Sequence, residues 1–63
     1  MSRTEYLDNL IDGHRERLRR GDRNATAFGH PVRILTVSRT HGLRVRFPDG
    51  SVQRAHPEDV IAA

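Results

Sequence analysis

Leu43-Arg44-Val45-Arg46-Phe47 alternates apolar and basic residues without a break, and Pro48-Asp49-Gly50 follows it directly. A period of two places Leu43, Val45 and Phe47 on one face of a strand, inward, and Arg44 and Arg46 on the other. Pro48 brings a fixed φ, Asp49 a side-chain acceptor and Gly50 a tolerance of positive φ, so the triplet reads as a tight turn. Ser51 to Ala55 then returns as the partner strand. Two strands alone do not hold together in water. The remaining residues must therefore cover the apolar side of this hairpin.

Upstream, Val32 to Ser38 is rich in β-branched residues and reads as another strand. Its alternation slips between Ile34 and Leu35, which predicts a bulge or a strong bend. Thr40-His41-Gly42 is the turn that joins it to the hairpin. Downstream, His56-Pro57-Glu58-Asp59 reads as one helical turn and Val60-Ile61 as a brief closing strand. Between Gly21 and Pro31 the chain is punctuated by Asp22, Asn24 and Gly29, and reads as a connector with a short extended piece over residues 25–28.

The first third has a different period. Leu7, Leu10, Ile11, His14 and Leu18 share one face at helical spacing. Glu5, Asp8, Asp12 and Glu16 lie opposite, on what is expected to be the solvated side. Ser2 with Glu5 three residues on fits a capping box, and Gly21 marks the stop, so a helix is predicted over 3–20. With 63 residues, 35% of them hydrophobic, the chain is one domain with a small core. The helical stripe needs a partner surface, because an isolated amphipathic helix is marginal. It is expected to complete the core of its own chain; the alternative is a homodimer through the helix.

A helix, three meandering strands, a helical turn and a last short strand define an α+β domain over 1–63. The stretch from Phe28-Gly29-His30-Pro31-Val32 through Val60 resembles the SH3-like small-barrel group in its Tudor and KOW style. The likeness rests on the bent first strand, on "LRVRFPDGS" as the hairpin and on "HPEDV" before the closing strand. It implies a small, bent antiparallel barrel over 31–62, and implies it at the level of fold only. The aromatic cage of ligand-reading Tudor domains is not expected, since Tyr6, Phe28 and Phe47 are the only aromatics and Phe47 is assigned to the core.

Chemistry is constrained mainly by what the chain carries in excess. All eleven basic residues are Arg, and the net charge is +3. Genomic base composition explains an all-Arg chain more readily than selection does. Residues 30–56, however, hold Arg33, Arg39, Arg44, Arg46 and Arg54 against the single acid Asp49. Arg forks match phosphate and carboxylate geometry. The expected function is therefore a non-catalytic binding module that meets an anionic partner, foremost a nucleic-acid backbone, through these five residues. The competing expectation is a protein–protein adaptor or inhibitor, an accessory or phage-type subunit docking on a larger machine through an acidic patch. No aromatic interleaves with the Arg residues, which argues against base stacking and for backbone contact with little sequence preference.

Catalysis is not expected, because no nucleophile, base and orienting acid can be placed together and no glycine-rich phosphate loop is present. The four His residues, His14, His30, His41 and His56, have no metal-ligand spacing, and there is no Cys. Neither a metal nor a cofactor is expected. His14 falls on the apolar stripe and reads as a buried structural histidine. The absence of a long apolar run and of a leader pattern sets the expectation of a cytoplasmic protein with no membrane contact.

Overall fold

A computed structural model of the chain describes residues 2–63. Helix α1 spans Arg3–Arg19 and is followed by β1 (Asn24–Ala27), β2 (His30–Ser38), β3 (Gly42–Arg46) and β4 (Val52–Ala55). A single 3-10 turn, Pro57–Asp59, leads into β5 (Val60–Ala62). All strand pairings are antiparallel, in the order β4-β3-β2-β1-β5. The domain is thus α+β, and its five-stranded sheet is not closed: β4 and β5 form its two edges.

The helix begins and ends where its capping chemistry dictates. Ser2 Oγ accepts from the Glu5 N–H at 3.2 Å. At the other end, Gly21 adopts φ +84°. Its N–H donates to Leu18 O and the Asp22 N–H donates to Arg17 O, each at 2.9 Å. That is a Schellman closure, which needs a residue tolerant of positive φ at this position. Ile11 and His14 are buried, and Leu7, Leu10 and Leu18 are partly buried. The helix packs against β2 and the 3-10 turn of its own chain, so its apolar stripe finds its cover internally.

The bulge falls where the period slips. Pairing of β2 with β3 shifts between Ile34 and Thr36, leaving Leu35 as the extra residue. The shift lets Ile34 and Val37, three apart, both face inward against Val45 and Leu43. Arg23 secures it from outside the strand: its Nη1 donates to Ile34 O at 3.1 Å and to Leu35 O at 3.2 Å. Ile34, Leu43 and Val45 are wholly buried and form the centre of a core completed by Ala25, Ala27, Val32, Ala55 and Val60.

Two expectations need correction. The sheet starts at Asn24 and not at residue 31: the short extended piece expected over 25–28 is β1, and it is a full member of the sheet that pairs with both β2 and β5. Its buried residues are Ala25 and Ala27, too small to give an apolar signal. Phe47 continues the inward face of β3 but is only partly buried at the rim, where its ring meets His30 edge-on at 6.1 Å and 72°.

Candidate anion-binding face

The strands sort the Arg residues by what their guanidinium groups do. Arg23 holds the bulge. Arg17 joins α1 to β1, bonding Asp22 Oδ2 at 3.3 Å and donating to the carbonyl of Asn24. Arg3 pairs with Glu58 at 2.7 Å and Arg19 with Glu16 at 3.3 Å. These are scaffold or surface pairs. The side chains of Arg33, Arg44, Arg46 and Arg54 are all exposed, and none has an ion pair or hydrogen bond among the described residues.

Register brings these four to one face. Arg33 stands opposite Arg46 across β2 and β3, and Arg44 opposite Arg54 across β3 and β4. Directly opposed residues of antiparallel strands point to the same side. Because Leu43 and Val45 face the core, Arg44 and Arg46 face away from it, and their opposite numbers with them. Successive residues on one side of a strand are about 7 Å apart. The outcome is two cross-strand Arg pairs one step apart, and none of the five strands contains an acidic residue. Thr36 stands opposite Arg44 on the same side. Together with Ser38, His41, Gln53 and Arg54 they line a hollow of about 480 Å³ at one end of the face.

Arg39 does not join them. It turns toward the helix, where its guanidinium reaches Asp12 at 2.9 Å and Asp8 at 3.7 Å. The acids of α1 are accordingly not merely solvated, since two of them clamp the β2–β3 turn. That turn is braced further by Ser38 Oγ, which accepts from the N–H groups of Thr40 and His41, each at 3.2 Å.

At the opposite end of the sheet lies a feature that spacing along the chain concealed. Phe28, His30, Phe47, Pro48, Asp49, Ser51 and Gln53 line a recess of about 460 Å³ between the β1–β2 and β3–β4 turns. Phe47 and Pro48 also line the shallow hollow that contains Arg33 and Arg46, so the recess adjoins the Arg face. Asp49 Oδ1 accepts from the Ser51 N–H at 2.9 Å and the Ser51 hydroxyl at 2.7 Å. Those two bonds hold its carboxyl below the usual carboxylate range. Nothing in the chain marked Phe28 as part of a recess; its neighbours arrive from β2, the β3–β4 turn and β4.

His14 is 6% exposed, as its place on the apolar stripe implies. Its Nδ1 has no hydrogen-bond partner. Burial pushes the imidazole below its ordinary value and the nearby Arg17 adds to this, against the raising effect of the Pro57 and Val60 carbonyls. The described residues contain no group of three or more His, Asp or Glu side chains placed to hold a metal ion. No described helix is long and apolar enough to cross a membrane. No family model, no curated protein and no solved structure matches the chain.

Proposed function

We propose that this chain is a small, non-catalytic, cytoplasmic module of SH3-like type that binds the phosphate backbone of nucleic acid through Arg33, Arg44, Arg46 and Arg54. The SH3-like reading is supported by the meander β1 to β4, the bulged β2 and the 3-10 turn that returns the chain to β1 as β5. One observation carries the binding reading: four Arg side chains share one exposed face with no acidic partner, whereas Arg3, Arg17, Arg19, Arg23 and Arg39 are paired or anchored. Arg15 and Arg20, which have no ion pair among the described residues, stand apart on the helix and at its C-cap. A like-charged face of this kind is unfavourable in the free protein and is relieved by a polyanion. Arg39, tied to Asp8 and Asp12, belongs to the scaffold.

The test is a fluorescence-polarisation titration of a labelled oligonucleotide with the wild type and with an Arg44→Glu, Arg46→Glu double variant. Loss of binding with unchanged circular dichroism supports the proposal. Full affinity in the double variant refutes it.

A specific observation also favours the adaptor reading. The outer edge of β5 is unpaired in the sheet, and Tyr6 and Ile61 are exposed along the groove between it and α1. An edge strand with apolar flanks is suited to augmentation by a partner strand. Charge reversal on the Arg face would leave that interaction intact, which separates the two.

A further inference from the structure

We infer that the face takes single-stranded rather than duplex nucleic acid, with one base stacked on Phe28 in the recess and the adjoining phosphate on Arg33 and Arg46. The inference rests on the Arg-face reading and specifies its ligand, and it reverses the expectation against base stacking, because the fold brings Phe28 to a recess adjoining the Arg face.

The first observation is Phe28 itself. It occupies the first position of the two-residue β1–β2 turn, between the paired residues Ala27 and His30. Its φ is +53° and that of Gly29 is +80°. Such a turn favours Asn-Gly, and a bulky side chain in the left-handed region is an outlier. Phe28 is also 59% exposed, so core packing does not compensate for the conformation. Backbone strain that returns nothing to the core points to a role in binding.

The second observation is continuity. Phe47 and Pro48 are common to the aromatic recess and to the hollow containing Arg33 and Arg46. That shared wall of Phe47 and Pro48 is the path by which a strand with its phosphate on those two Arg residues would turn a base into the recess. The recess excludes the phosphate itself, since Asp49 lines it and is held ionised by Ser51. A flat neutral base meets no such repulsion. Every base offers a π-face to an aromatic ring, but in a duplex those faces are already stacked.

The test compares a short labelled oligothymidine with a duplex of equal length at one salt concentration. The proteins are the wild type, Phe28→Leu, Phe28→Asn and an Arg33→Ala, Arg46→Ala double variant. The wild type is expected to prefer the single strand. Both Phe28 variants are expected to lose about tenfold in single-strand affinity and to change duplex affinity by less than about twofold. The Arg double variant is expected to weaken both ligands. Unchanged single-strand affinity in the Phe28 variants, or tighter duplex binding by the wild type, overturns the stacking inference while the Arg face stands. Failure of the wild type to bind either form overturns the Arg-face reading itself, and the inference with it.

Discussion

Arg44 and Arg54 stand directly opposite each other on β3 and β4, with no acidic residue in any strand to separate their charges. Opposed like charges destabilise a strand pair, and opposed unlike charges stabilise it by about 0.2–1 kcal/mol. Arg54→Glu is therefore expected to raise the urea midpoint slightly while weakening oligonucleotide binding. A variant that is both less stable and equally good at binding would mean that the pair serves the fold and not a ligand.

Phe28 shows the same opposition between stability and use. A left-handed conformation costs an ordinary L-residue about 1–2 kcal/mol, and Asn tolerates it much better. Phe28→Asn is expected to stabilise the domain by about 1 kcal/mol in chemical denaturation. If it destabilises instead, the ring has a packing role that its exposure does not reveal.

Much of this architecture was legible in the chain, and the parts that were not share a cause. The cap at Ser2, the stop at Gly21, the slip at Ile34–Leu35 and the turn at Pro48–Gly50 are local, each written in a few adjacent residues. Period two put Arg44 and Arg46 on one side of their strand, whereas the opposition of Arg33 to Arg46 and of Arg44 to Arg54 is a matter of register, which the bulge and the turns set. β1 was legible as a short extended piece, but its place in the sheet was not, because Ala25 and Ala27 carry little apolar signal and Phe28-Gly29 is an unusual pair for its turn. The attachment of Arg39 to Asp8 and Asp12 spans the helix and a distant turn, and nothing in local spacing announces it. The aromatic recess was hidden for the same reason, since its two turns meet only in the folded sheet.

Gly42 allows a close approach. Its φ is +74°, and a Cβ placed there would lie 2.8 Å from the Ala55 carbonyl oxygen. That oxygen is backbone, so it cannot swing aside. Gly42→Ala is expected to cost about 2 kcal/mol or more, through the left-handed penalty and the contact together. A guanidinium melt reads it directly, and a loss of a few tenths would show that β3 and β4 separate easily.

The buried imidazole of His14 links stability to acidity. Burial first, and Arg17 second, place its folded value below the ordinary 6.5. The unfolded chain therefore binds a proton that the folded chain resists, and stability rises with pH across the interval between the two values. The His14 contribution is complete above 6.5, and is lost as pH falls from there toward the lower folded value. The stability difference between the wild type and His14→Leu should shift against the wild type across that interval. A difference independent of pH contradicts the assignment.

The Arg face is tested most directly by the salt dependence of oligonucleotide affinity. Each phosphate neutralised on a single strand contributes roughly 0.7 to the slope of log affinity against log salt. Engagement of all four Arg residues predicts a slope of about −3 for the wild type, falling to about −1.5 in an Arg44→Ala, Arg46→Ala variant. An identical slope in the two proteins would show that these side chains do not meet phosphate, and would contradict the account.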